Sequence, residues 1–122
     1  MPVDPEDIET GSIVWAIVRD RNGFRNRRPA IVLNAREDIA KDLPLVLMAI
    51  TTTFADPAPA NCVELPWNND RRKVGTGLAR RSAAVMDWLD TVYLDEVDEV
   101  IGVVPKRIME RIHARLRDSG NA

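Results

Sequence analysis

The sequence predicts a mainly β domain with one C-terminal helix, folded as a small SH3-like barrel. Three observations lead there. Short apolar runs recur along the chain, each closed by a turn signal. The first of them, Ser12 to Val18, is apolar on both faces, as a strand buried on two sides must be. Only the last stretch shows helical spacing, with Ile108, Met109, Ile112 and Leu116 forming one apolar stripe.

A length of 122 residues suits one domain with a single core. The domain is expected over 1–122, with the barrel over 11–104 and the helix over 105–117. The net charge of −2 and the isoelectric point near 5.4 place any affinity for nucleic acid in local patches, not in the bulk field. No apolar run approaches the ~20 residues of a membrane span, and the acidic, proline-bearing start is unlike a signal peptide. A cytoplasmic setting without membrane contact is expected. One cysteine and one histidine leave no material for an intrachain disulfide, a multi-cysteine zinc site or a histidine cluster. No metal or cofactor is expected.

Taken in order, residues 1–11 form an arm leading to the first strand. Trp15, in that strand, reads as a core anchor. The stretch Arg19 to Asn34 follows and carries Arg19, Arg21, Arg25, Arg27 and Arg28 with one acid, Asp20. Asn22-Gly23 favours positive φ and closes a turn. The reading is a hairpin with an arginine-loaded connecting loop. Arginine binds phosphate through a planar fork, so such a loop suits a polyanion. Pro29 opens the second strand, Ala30 to Leu33, at a position where its missing donor is least felt. Arg36 to Asp42 is polar and suits a helical turn.

Leu45 to Ile50 is a third buried strand, running into Thr51, Thr52 and Thr53, β-branched residues that suit a strand edge and whose hydroxyls are also available to a bound oxygen anion. Asp56 to Asn61 is a turn, and Cys62 to Leu65 a short fourth strand. A second basic loop covers Pro66 to Arg81 with Arg71, Arg72, Lys73, Arg80 and Arg81. Its glycines and polar composition predict mobility. Ser82 to Met86 is a strand ended by Asp87 and Trp88, and Thr91 to Leu94 is extended again. Asp95 to Glu99 is an acidic bend with a solvated face. Val100 to Val104 is the last strand, and Pro105 suits the first turn of the helix.

Several of these stretches resemble the MazF/PemK (Kid-like) toxins. Gly11-Ser-Ile-Val-Trp15, a basic loop and Arg28-Pro-Ala-Ile-Val-Leu33 match the opening of that family. Ala49-Ile-Thr51 falls where the family has its strand ending in threonine. Ser82-Ala-Ala-Val-Met-Asp87-Trp-Leu-Asp90-Thr91 sits where it often reads S-x-x-x-x-D-Q-x-R-T, and Ile101-Gly102 matches its I-G before the final helix. The resemblance implies a homodimeric toxin neutralised by a cognate antitoxin. It also implies a barrel like that of the gyrase-poisoning CcdB toxins. The implied activity is metal-independent cleavage of single-stranded RNA, by attack of the 2′-hydroxyl on its own phosphorus. By motif position, Arg28 resembles the phosphate-stabilising arginine, Thr51 the catalytic threonine and Asp87 the aspartate that serves as base. Two departures stand out. Trp88 and Asp90 replace the family's glutamine and arginine, and Val85 falls where Kid-like members carry an arginine. Asp90 is expected to repel a phosphate, and Asp87 and Asp90, if close, to raise one another's pKa.

The expected RNA groove comprises Arg19, Arg21, Arg25, Arg27, Arg71, Arg72, Lys73, Arg80 and Arg81. Trp67 is its candidate for stacking on bases, while Trp88 suits a dimer interface or a groove for an antitoxin peptide. His113 reads as a helical surface residue and Cys62 as a buried structural thiol. The alternative function is a toxin fold that binds RNA without cutting it, or inhibits a protein such as gyrase.

Overall fold

The structure is a computed structural model of the chain and describes residues 3–120. Six strands and one helix carry it: β1 (Ser12–Arg19), β2 (Arg25–Val32), β3 (Leu45–Thr51), β4 (Cys62–Leu65), β5 (Ser82–Val92), β6 (Val97–Val103) and α1 (Lys106–Gly120). All strand pairings are antiparallel and the sheet order is β4-β5-β3-β2-β1-β6. The sheet is curled. Arg19 on β1 bonds Asp90 on β5, although β2 and β3 stand between those strands.

The two-residue period of the strands divides the core in two. Val14, Ala16 and Val18 of β1 join Ala30, Val32, Leu45, Leu47 and Ala49 inside the curl. Ile13, Ile31, Met48 and Ile50 face the other way, where Ile108, Met109 and Ile112 of α1 cover them. The helix therefore lies across a face of the sheet. The apolar stripe read from the sequence is what fixes it there: Ile112 is fully buried.

Three strand limits differ from the sequence reading. Strand β2 begins at Arg25, so Arg25, Arg27 and Arg28 are strand residues and not loop residues. The turn is only Asp20–Phe24: the Asp20 carboxylate accepts the N–H groups of Asn22 and Phe24, and Gly23 takes φ +82°. Pro29 thus lies inside the strand. It is tolerated because β3 pairs with β2 only from Ala30 onward, leaving an open edge beside the proline. Strand β5 runs unbroken through Asp87 and Trp88. Its ladder with β3 slips there, Leu89 pairing with Met48 and Ala84 with Ile50. That bulge absorbs the interruption expected at Asp87. The last strand starts at Val97, because the acidic turn is a single 3-10 turn over Leu94–Glu96.

The second basic loop, expected to be mobile, is tied down. Asp70 caps a 3-10 turn over Arg71–Lys73. The fully buried Thr76 donates its hydroxyl to the Pro66 carbonyl at 2.7 Å. The Val103 N–H donates to the Gly75 carbonyl at 3.0 Å. The backbone of Gly75 and Thr76 presses so closely on Gly102 that a Cβ there would overlap main-chain atoms. The Ile101-Gly102 pair is thus a crossing point between the loop and β6.

Because those neighbours are backbone and cannot swing aside, Gly102→Ala is expected to destabilise the protein by about 1–3 kcal/mol. Thermal unfolding reads the loss, and hydrogen exchange should rise first at residues 75–77. An unchanged melting temperature would contradict the crossing.

Candidate functional site

The arginines of the β1–β2 hairpin are matched to acids almost one for one. Arg19 forks onto Asp90, Nη2 to Oδ1 at 2.9 Å, while its own backbone N–H donates to Asp90 Oδ2 at 2.9 Å. Arg25 pairs with Glu96 at 2.7 Å. Arg27 pairs with Asp98, and with Glu99 at 3.5 Å. Arg21 reaches Asp87 at 3.7 Å, both side chains well exposed. The acidic run from the 3-10 turn into β6 is therefore not merely a solvated face: it neutralises Arg25 and Arg27. Exposed pairs of this kind contribute only about 0.2–1 kcal/mol each to stability, so their main effect is on which charges stay available.

Asp90 is the exception in this set, with a side chain only 8% exposed. Burial alone would push its carboxyl up. Hydrogen bonds from the Arg19 side chain, the Arg19 backbone and the Thr91 backbone, with the Arg19 charge, outweigh that and hold it below the usual carboxylate range. The mutual raising expected of Asp87 and Asp90 does not reach Asp90, because Arg19 occupies it. For the same reason its charge is not free to repel a phosphate.

Arg28 has been left out of this pairing. Neither a hydrogen bond nor an ion pair engages its side chain among the described residues. Its guanidinium instead lies 4.5 Å over the ring of Trp88. It opens into a pocket of about 600 Å³ that is also lined by Thr51, Thr52, Thr53, Arg71, Arg80 and Ser82. Arg71 and Arg80 likewise have no acid partner among the described residues. No carboxylate lines the pocket. The Thr51 hydroxyl accepts the Thr53 N–H at 3.1 Å and lies 3.3 Å from the Thr53 carbonyl, so its oxygen is fixed at the rim. Cationic forks and hydroxyls without a competing acid suit a phosphate.

The structure thus brings Arg27, Arg28, Thr51, Arg71 and Arg80 to one pocket, Arg27 being already paired with Asp98 and Glu99, and leaves the rest outside. Asp87 lines a separate shallow pocket with Arg19, Arg21 and Trp88, and accepts a hydrogen bond from Asn61 at 3.2 Å. Arg72 turns back onto Asp70 at 3.1 Å. Arg81 bonds Glu64 at 3.1 Å and stacks on Phe54. Lys73 and Trp67 are exposed but do not line the pocket. Trp15, read as a core anchor, is half-exposed at the pocket wall with Arg27 stacked on it. Trp88, read as an interface residue, packs against the inner core and carries Arg28. Neither stack had a signal in the sequence, since the partners of the second lie far apart in the chain. Val85 is buried beside Cys62 and Ala83, so its position offers no charge to a ligand. Burial raises the Cys62 thiol, with Asp87 adding to it, which suits an inert structural cysteine. Among the described residues, no three His, Cys, Asp or Glu side chains are grouped as a metal ion requires.

Comparison with known proteins adds to this geometry. The model of the PemK-like, MazF-like toxins of type II toxin–antitoxin systems matches residues 9–119. No curated protein sequence matches. Among solved structures, MazF from Deinococcus radiodurans aligns with a TM-score of 0.72 at 15% identity, over 94% of this chain and 97% of that one. An endoribonuclease bound to its cognate antitoxin, from a mycobacterial species, aligns with a TM-score of 0.66 at 17% identity, over 93% and 95%. The Mycobacterium tuberculosis toxin MazF-mt6 aligns with a TM-score of 0.64 at 16% identity, over 88% and 96%. At such identities these likenesses establish the shared fold.

The Arg19–Asp90 fork has a pH signature. A carboxyl whose folded pKa lies below its unfolded value, about 3.9, contributes stability above that value and loses it as pH falls through the folded one. Asp90→Asn is therefore expected to lower the melting temperature at pH 7, with the gap to wild type closing in acid. A gap that stays constant down to pH 2 would contradict the fork.

Proposed function

The chain belongs to the PemK-like, MazF-like toxin family of type II toxin–antitoxin systems, and on that footing we propose that it is an endoribonuclease acting on single-stranded RNA at the Arg28 pocket. The observation that carries this reading is the absence of any carboxylate among the residues lining a pocket with three unpaired arginines. A phosphodiester binds there without displacing an acid. As the 2′-oxygen attacks phosphorus, negative charge builds on the non-bridging oxygens, and fixed cationic donors stabilise it more than they stabilise the ground state. Arg28 takes that role, with Arg71 and Arg80 holding the strand on either approach.

The step breaks the bond from phosphorus to the 5′-oxygen and leaves a 2′,3′-cyclic phosphate. The 2′-proton departs to a base and the 5′-oxygen gains one. Thr51 Oγ1, held by the Thr53 backbone, is placed to hydrogen-bond a phosphoryl oxygen or the water that carries a proton. Asp87, outside the pocket, is not assigned as the base. Positive charge comes from guanidinium groups, so no metal is required. A homodimer and a cognate antitoxin complete the proposal. The antitoxin reading is supported by the complexes in which relatives of this fold occur.

Purified protein incubated with long single-stranded RNA in EDTA is expected to give discrete fragments with 2′,3′-cyclic phosphate ends. Arg28→Ala should fold normally and cleave about 10²–10³-fold more slowly, the usual loss when one transition-state donor is removed. Asp87→Asn should keep most of the rate. An Arg28→Ala protein as active as wild type would remove the assignment.

A further inference from the structure

Arg28 is held differently from its neighbour Arg27. Arg27 is neutralised by Asp98 and Glu99. Arg28 has a covered Nε without a hydrogen-bond partner, and its only strong contact is the face of Trp88, 4.5 Å away. The indole is itself fixed. Its Nε1–H donates to the Arg19 carbonyl at 2.8 Å, and Arg19 is clamped to Asp90 through both side chain and backbone. The side chain packs against both the inner core and the cluster of Cys62, Ala83 and Val85.

A guanidinium can be oriented in two ways. A carboxylate fixes it but cancels its charge and takes its donors. An aromatic face fixes its plane and leaves charge and outer N–H groups for another partner. A phosphate ligand needs the second arrangement. We propose that Trp88 positions Arg28: anchored by Arg19 and Asp90, the indole holds the guanidinium plane so that its outer N–H groups face a phosphate in the pocket. This rests on the reading of the pocket as the RNA site. Trp88 touches the arginine and not the substrate, so it is a positioning residue. The indole and its remote anchor, Trp88 and Asp90, are the residues that replace glutamine and arginine in the resembled motif. They form a substitute support and not two defects.

Two variants separate the ring from its hydrogen bond. Trp88→Phe keeps an aromatic face and loses the donor to Arg19. Trp88→Gln keeps a donor and loses the face. In the wild type, ring current should move the Arg28 Nε–Hε NMR signal upfield, the signal being assigned by its loss in Arg28→Lys. Trp88→Gln should return that signal to the ordinary arginine position, and Trp88→Phe should keep most of the displacement. On a short RNA containing a mapped cleavage site, Trp88→Gln should lose about 10–100-fold in kcat, the scale of misplacing a reacting group by about 1 Å, with KM little changed. Trp88→Phe should recover most of kcat.

Activity that follows melting temperature in both variants, regardless of the ring, would overturn the proposal in favour of a purely structural tryptophan. So would an Arg28 signal at the ordinary position in the wild type, a result obtainable even if neither variant folds. If wild-type protein leaves RNA intact, the ribonuclease reading falls. The response of the Arg28 signal to Trp88→Gln then still decides whether the indole orients the guanidinium.

Discussion

The fork between Arg19 and Asp90 joins β1 to β5 across the curl of the sheet, each strand lying one place in from an end. Strand β1 and the second half of β5 are separated by two strands in sheet order, yet this pair closes the distance between them. It does so with a nearly enclosed carboxylate that accepts three hydrogen bonds from Arg19, two from its side chain and one from its backbone, and one from the Thr91 N–H. Such a carboxylate is costly to desolvate and costlier still to leave unpaired. The fork is therefore a point of register more than a source of net stability. It sets where the carbonyl of Arg19 lies, that carbonyl holds the Trp88 indole, and the indole carries Arg28. Geometry of the inner core and of the pocket is passed along one short chain of contacts.

Charge is allocated across the surface in a way that net charge conceals. The chain is slightly acidic overall, and the arginines most conspicuous in the sequence are already met by acids of β5, β6 and the turn between them. Three without an acid partner among the described residues, Arg28, Arg71 and Arg80, converge on a single pocket. A polyanion approaching the hairpin meets paired guanidinium groups, whose carboxylate partners compete with it. In the pocket it meets unpaired ones. Local accumulation of arginine and local availability of positive charge are thus different quantities in this protein.

Much of the fold was legible because it depends on local periodicity. The two-faced strand at Ser12 to Val18, the apolar run of β3, the Asn22-Gly23 turn and the stripe of α1 all followed from spacing. What was not legible depends on distant partners. Pro29 lies inside a strand because of where β3 begins to pair. Asp87 and Trp88 lie inside β5 because a bulge absorbs the mismatch with β3. The ion pairs from Arg19, Arg25 and Arg27 each join residues 71 positions apart, beyond any local rule. Arg28 and Thr51 received catalytic roles only through family resemblance, and the fold places both at one pocket. Asp87 was carried over by the same resemblance and stands elsewhere, beside Arg21 and Asn61.

The central claim is that RNA engages the carboxylate-free pocket and not the arginine-rich turn. The most direct test is NMR titration of the protein with uncleavable 2′-O-methyl single-stranded RNA, following the arginine side-chain N–H signals. The account predicts that the signals of Arg28, Arg71 and Arg80 shift first and saturate together, with Thr51 and Thr53 amides moving alongside. Shifts confined to Arg19, Arg21 and Arg25, with Arg28 unmoved, would contradict it and place the RNA on the hairpin.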